Sequence, residues 1–446
     1  MSDVATAVDR RPLGWFGIVR LGLVQMALGS VVALTTTTFN RVMVVELALP
    51  AMLPGFLVAI HYAMGMLRPR WGHGSDRSGR RTPWILGGVA MLALGGLTAA
   101  AATALMETAT VPGIGLAIAG FLLIGAGVGC GGTALLALLS TRVAPERRPA
   151  AATIVWLMMI FGIAVTAASV GAVLDPYSGQ RLIVVTGGVA AIAMVLTLAA
   201  VWGVEGARPV AAAPTVAKIP FRQALAETWA EPGARLFTIF IFVSMLAYYT
   251  QELILEPFAG HVFGMTVGET TTLSSRHKMG IFVGMVLVAV LGSAVRGRWF
   301  GSLKLWTVLG CLGSSAALVG LATSAFAGSW PLAPNVFALG FFNGVFAVAA
   351  IGSMMALAGA QAPGREGARM GLWGAAQALA FGVGGLVGTA AVDGMRAVTG
   401  TIPLSYAVVF SVEALLFLVS AWMALLIGAP RRAPLPRRTA AMMPGE

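Results

Sequence analysis

The sequence predicts an all-α membrane protein: twelve transmembrane helices in two six-helix halves. Three observations predict it. The 446 residues are 58% hydrophobic and only 10% charged, with a mean hydropathy of +0.87, whereas soluble domains carry about 25% charged residues. Apolar runs of about 20 residues, the length that a bilayer core of roughly 30 Å demands, recur along the whole chain. The breaks between them are short and rich in Arg, Gly and Pro.

Taken in order, the apolar runs place helices near residues 18–45, 50–69, 84–105, 113–140, 150–174, 181–204, 234–256, 273–295, 303–327, 332–360, 369–391 and 402–428. The first follows a polar start and lacks a small-residue cleavage site, so it reads as a span rather than a cleaved leader. Polar or glycine-rich patches interrupt the seventh, eighth and eleventh. Residues 205–233, with Pro209, Pro214, Pro220 and Pro232, form a linker between a bundle over 18–204 and a second over 234–428. The tails, 1–17 and the basic 429–446, suit an anionic membrane surface, so lipid is an expected partner.

Lys and Arg set the orientation. With both termini cytoplasmic, 24 of the 29 basic residues fall on the cytoplasmic side. The other five, Arg41, Arg181, Arg276, Lys278 and Arg396, fall on the far side or within helices. The net charge of +12 is spread over these short clusters and forms no single patch, which argues against nucleic acid. Cys130 and Cys311 lie inside separate spans and read as buried packing residues.

A duplication of six-helix halves leaves a trace. Ala144, Pro145, Arg147 and Ala150 recur 218 residues later as Ala362, Pro363, Arg365 and Ala368. The same offset carries Asp175, ending the fifth helix, onto Asp393 near the end of the eleventh.

The loop after the second helix reads Gly72-x-x-Ser75-Asp76-Arg77-x-Gly79-Arg80-Arg81. In residue type, spacing and position it resembles the signature G-x-x-x-D-R-x-G-R-R/K of the major facilitator superfamily. The second half's equivalent loop, GSAVRGRWFGS from Gly292, keeps glycine and arginine but has no aspartate. The glycines permit a sharp turn and close backbone approach. The resemblance implies that Asp76 meets the N-terminal end of helix eleven, where exposed N–H groups favour an anion. Arg142, Arg147 or Arg369 would stand nearby. Such a latch ties the halves together on the cytoplasmic side and favours an outward-facing state; arginines alone would only enforce topology.

Three longer stretches, FNRVMVVELALPAMLPG (39–55), VAIHYAMGMLRPRWGHGSDRSGRRTPWI (58–85) and GETTTLSSRHKMGIFVGM (268–285), look like the bacteriochlorophyll-linked branch of that superfamily. Its members are the PucC- and LhaA-type light-harvesting complex assembly proteins. The resemblance spans nearly the whole chain and implies a bacterial inner membrane, cytoplasmic or intracytoplasmic. The implied work is assembly of antenna complexes by binding or delivering bacteriochlorophyll as cargo. Antenna polypeptides and the pigment or its synthesis machinery are the implied partners. Transport is not implied.

An ionisable group at a helix centre costs about 2.5–3.5 kcal/mol on insertion scales, so each needs a partner or a use. The first helix carries Asn40, Arg41 and Glu46. The seventh carries Gln251, Glu252 and Glu256, its two acids at i, i+4 on one face. Arg41 is expected to pair with Glu252 or Glu256 across the central cavity, or else to sit solvated at the interface. Arg276, His277 and Lys278 read as anchors at the start of the eighth helix. His61, beside Phe56 and Tyr62, is either an axial ligand for a chlorin magnesium or a packed, hydrogen-bonded histidine.

Gly127-x-Gly129-x-x-Gly132 has the letters of a dinucleotide fingerprint but lies inside an apolar helix with no preceding strand. Close helix packing is the expected use of these glycines. Thr35–Thr38 can bond back to the helix backbone or line a cavity, and Asn343 and Gln377 suit interhelical hydrogen bonds. No nucleophile–base arrangement, phosphate loop or zinc spacing is present in the sequence, so an enzyme is not expected. Two other functions stay open: a proton-coupled secondary transporter of a small solute, with Glu252, Glu256 or Glu413 carrying protons, and a pigment-independent chaperone for antenna polypeptides.

Overall fold

The computed structural model of the chain describes residues 13–68, 71, 74, 75, 78, 80–144, 147–205, 229–294, 302–327, 329–360 and 366–427. Among them, eleven helices are long and apolar enough to cross a membrane, and a shorter apolar helix, Met52–Leu67, stands in the place of the second expected span. In chain order the helices are α1 (Trp15–Glu46), α2 (Met52–Leu67), α3 (Thr82–Leu105), α4 (Thr110–Arg142), α5 (Arg148–Val173) and α6 (Gly179–Val201). The second set is α7 (Pro232–Phe263), α8 (Val267–Ala294), α9 (Leu303–Ser324), α10 (Leu332–Ala360), α11 (Glu366–Thr399) and α12 (Ile402–Leu426).

Lipid offers the backbone no hydrogen-bonding partner, so each span satisfies its own N–H and C=O groups as helix. The ends carry local signals. Pro lies in the first turn of α3, α7 and α12, where the missing N–H costs nothing. Ser178 and Ser302 cap α6 and α9 by accepting from the N–H groups of Arg181 and Leu305. Gly264, at φ +65°, closes α7 in the left-handed region.

α7, α8 and α11 run past their expected ends. The polar and glycine-rich patches that interrupt them in sequence lie within continuous helix, and Glu252 of α7 and Lys278 of α8 pair with each other inside the bundle. The three adjacent bases therefore sit well inside α8 rather than at its start. His277 and Lys278 are buried, and only Arg276 is exposed. The expectation of three interfacial anchors is corrected for these two.

Two apolar cores form. One draws mainly on residues of the first half from Ile18 to Val204, joined by Leu253 and Val267 of the second; the other draws on residues of α7–α12 from Phe237 to Ala424. In the first, α3 and α4 pack backbone to backbone. A Cβ on Gly127 would lie 2.6 Å from the Gly88 carbonyl oxygen, so the glycine run is a packing surface, as small residues are in membranes. Cys130 and Cys311 are buried and unpaired. Val184, Ile192 and Val195 of α6 are more than 60% exposed, as a lipid-facing helix requires.

The first and last described residues, Leu13 and Ile427, share one end of the bundle. The opposite end, called the far end below, holds the C-terminal ends of α1, α5, α7 and α11 and the N-terminal ends of α2 and α8. There the halves meet along α5–α8 and α2–α11, with α1 and α7 between.

Candidate functional site at the seam between the halves

Both helices lining the seam are locally irregular in their backbone hydrogen bonding. α1 relaxes into π-turns over Thr35–Phe39 and Val42–Glu46, a geometry that recurs at functional sites. The threonine run explains the first: the Thr35 hydroxyl donates to the Val32 carbonyl at 2.6 Å and that of Thr37 to Ala33 at 2.7 Å. Such back-bonding competes with the regular ladder and bends helices. α7 runs on as helix through Pro257, which has no N–H to give the Leu253 carbonyl four residues back. Asn40 of α1 supplies the missing donor, its Nδ2 lying 2.7 Å from that carbonyl oxygen. The offset of 218 that relates the halves carries Phe39, where the π-turn ends, onto Pro257.

Arg41 does not pair with Glu252 or Glu256. It is buried, donates to Glu46 at 3.0 Å within its own helix, and donates to the Met265 carbonyl across the seam at 2.8 Å. Glu252 is taken instead by Lys278 of α8, in a close ion pair whose two side chains are 11% and 7% exposed. Lys278 stands within the bundle rather than at the interface, and it outcompetes an arginine already held by Glu46. The polar chain continues from the adjacent His277, whose Nε2 is 3.4 Å from Asn343 Nδ2, to Ser314, which donates to Asn343 Oδ1 at 2.8 Å.

Buried side chains whose terminal polar atoms have no hydrogen bond among the described residues include Gln251 and Glu413. Glu256 is 1% exposed, and the groups acting on it are Ser274, Arg41, Glu252 and Lys278.

An aromatic cluster crosses the seam beside His61. The ring of His61 meets that of Tyr62 edge-on at 4.8 Å; Tyr62 contacts Tyr249 of α7 at 5.8 Å and Phe381 of α11 at 6.0 Å; and Tyr249 stacks on Phe381 at 3.6 Å. His61 is buried, and its Nδ1 has no hydrogen bond among the described residues. Tyr249 and Phe381 are not singled out by the sequence, because neither is the only aromatic residue in its apolar helix. Only the fold stacks them.

At the far end, Asp175 accepts from Thr266 Oγ1 at 2.6 Å and from the Gly268 N–H at 3.0 Å. Asp393 accepts from the N–H groups of Ala51 at 3.2 Å and Met52 at 2.8 Å. The pair recognised as a repeat in sequence thus makes reciprocal contacts between the halves. In the neighbouring loop, burial and the Glu107 carboxylate, which accepts from the Tyr177 hydroxyl at 2.8 Å, push the Tyr177 phenol above its ordinary pKa.

Of the expected latch, Gly72, Asp76, Arg77 and Gly79 lie outside the described residues, as does the side chain of Arg369. Arg81 bonds Thr141 of α4 at 3.2 Å, and the N–H groups of Arg81 and Thr82 donate to the Glu205 carboxylate at 2.7 Å, which caps α3. Arg80 is exposed. Arg147 lies over the Trp15 ring at 5.3 Å.

This architecture defines the class: a major facilitator fold. Solved transporters share it. A bacterial homologue of the lysosomal transporter Spinster, inward-facing and occupied, superposes with a TM-score of 0.67 over 94% of this chain and 98% of that one, at 14% identity. The nucleoside transporter NupG gives 0.65 over 93% and 99%, also at 14% identity. Within that class the chain belongs to the PucC family, whose model, described as PUCC protein, matches residues 38–431. It is 53% identical over 97% of its length to the whole of the "Bacteriochlorophyll synthase 44.5 kDa chain" of Rhodobacter capsulatus. It is 32% identical to "Protein PucC" of Rhodobacter capsulatus over 90% of each chain.

Proposed function

We propose that this protein is a non-enzymatic membrane assembly factor for light-harvesting antenna complexes, binding or delivering bacteriochlorophyll in a phototroph's inner membrane with both termini cytoplasmic. The observation that carries the reading is full-length similarity to relatives named for bacteriochlorophyll and for PucC. The seam offers a physical means. Tyr62, Tyr249 and Phe381 present stacking faces from both halves, and His61 holds an unused ring nitrogen of the kind that ligates magnesium in a chlorin. His61 is enclosed here, its carbonyl packed on Gly125 of α4. A macrocycle reaches the imidazole only when α2 and its neighbours separate, so loading and opening are one event.

The test is absorbance of the full-length protein purified from phototrophic membranes, together with antenna levels after deletion of its gene. Pigment bands in the purified protein and loss of antenna on deletion are expected. Antenna loss without bound pigment would leave a pigment-independent chaperone, and normal antenna levels would remove both assembly roles.

One observation favours a second reading, a proton-coupled transporter of a small solute: the buried carboxyls of Glu256 and Glu413, the latter without a hydrogen bond among the described residues. Buried acids facing a bundle interior mark proton relays in membranes. Solute uptake by vesicles that follows an imposed proton gradient, and that is lost in Glu256→Gln, would establish it.

A further inference from the structure

We propose that Asp175 and Asp393 form a two-point gate that holds the far end of the seam shut, and that opening this end requires both helix N-termini to be released together. The inference rests on the fold and not on the identity of the cargo.

The contacts are reciprocal. Asp175 belongs to the first half and takes the N-terminus of α8 in the second; Asp393 belongs to the second half and takes the N-terminus of α2 in the first. A helix N-terminus has N–H groups without intrahelical partners and a positive dipole end, so a carboxylate there makes charge-assisted bonds. Either half can swing away only by exposing these groups.

The two N-termini differ in how much they need the aspartate. α8 already has a capping box: Thr266 accepts from the Glu269 N–H at 3.2 Å, and Glu269 accepts from the Thr266 N–H at 2.9 Å. Its further bonds to Asp175 are surplus to helix stability, and what they add is attachment to the other half. α2 begins at Ala51 with no side-chain cap of its own, so Asp393 is at once its cap and its tether.

Close packing seals the seam along both interfaces. A Cβ on Gly171 of α5 would come within 2.7 Å of the Gly268 carbonyl oxygen on α8, and Gly55 of α2 lies directly against the Thr389 side chain on α11. The offset of 218 carries Gly171 onto Thr389 as it carries Asp175 onto Asp393. Between the two interfaces, the bonds of Asn40 to Leu253 and Arg41 to Met265 fasten α1 to α7. The hydrogen bonds among these contacts are few, so they bias a two-state equilibrium without fusing the halves. A latch around Asp76, which lies outside the described residues, would act at the opposite end and oppose this one.

The experiment places spin labels at Val111→Cys in the first half and Val398→Cys in the second. Both positions are at the far end and at least 80% exposed, away from the seam. In the full chain reconstituted in lipid, double electron–electron resonance reads the distance between the halves. Asp175→Asn and Asp393→Asn should each raise the open-to-closed ratio about tenfold, and the double variant about a hundredfold, as loss of separate charge-assisted bonds predicts. Asp393→Glu, which keeps a carboxylate at the N-terminus of α2, should restore the parental distribution. Thermal unfolding of the same samples separates gating from plain capping. A double variant that unfolds at lower temperature but keeps the parental distance distribution overturns the proposal, and so does one unchanged in both.

Discussion

The two halves share a fold and an internal repeat, yet they bury very different chemistry. Among the described residues, the first buries Asn40 and Arg41 at the seam and His61 beside it, and otherwise fills its interior with apolar side chains and hydroxyls. The second buries Glu256, His277, Lys278 and Glu413, with Asn343 and a nearly buried Glu252. Even the matched irregularities differ: α1 is relaxed by hydroxyls bonding back to the backbone, while α7 carries a proline whose lost hydrogen bond is made good from the other half. Duplication reproduced the scaffold and the aspartates that hold it together. The ionic network belongs to one copy, so the halves cannot be exchangeable in function.

The largest test of this asymmetry is Lys278→Ala. It leaves Glu252 buried beside an empty space, and breaking a buried pair from one side costs about 3–5 kcal/mol. A clear fall in unfolding temperature and in membrane abundance is expected. The double variant Glu252→Leu/Lys278→Met should recover most of the loss. If the single variant is as stable as the parent, the second half is not organised around this pair.

A sharper test lies in the matched irregularities. Asn40→Ala strands the Leu253 carbonyl, for about 1–3 kcal/mol. Pro257→Ala returns the backbone N–H that α7 lacks, so in that background the loss of Asn40 should cost little. A double-mutant cycle in thermal unfolding measures the coupling, and additive effects would show that the side chain does not serve the proline site.

Smaller effects are expected at single buried acids and at the aromatic cluster. Glu413→Gln removes a carboxyl with no hydrogen bond among the described residues and should leave stability unchanged or raise it by about 1 kcal/mol. A loss of proton-driven uptake without loss of stability would instead give Glu413 a transport role. His61→Leu keeps the volume of the side chain, so folded yield should hold while pigment recovered with the purified protein falls. Unchanged pigment recovery would relieve His61 of any part in binding.

How much of this was legible in the chain follows from where each signal resides. Span number and placement can be read because hydropathy is local: any window of twenty residues states its own preference for lipid. The resemblance carried by Asn40-Arg41, His61-Tyr62 and the loop ending at Arg81 was equally local. The ends of α7, α8 and α11 were not, because a glutamate or lysine reads as a break until its partner is known. Glu252 and Lys278 lie on different helices, and nothing in either segment names the other. Pro257 did hold a usable signal, since a proline within a membrane helix requires a donor from a neighbour.

The sequence by itself therefore determined that the chain is a twelve-helix membrane protein built from a duplicated half and akin to the PucC branch. Apolar length, basic-residue placement and the 218-residue repeat are properties of the chain in one dimension. The tertiary structure alone decided that Arg41 turns to Glu46 and Met265, that Lys278 claims Glu252, and that Asp175 and Asp393 each cap a helix of the opposite half. In lipid a buried charge takes the nearest group that satisfies it, and nearness across a seam is set by how helices pack rather than by their order along the chain.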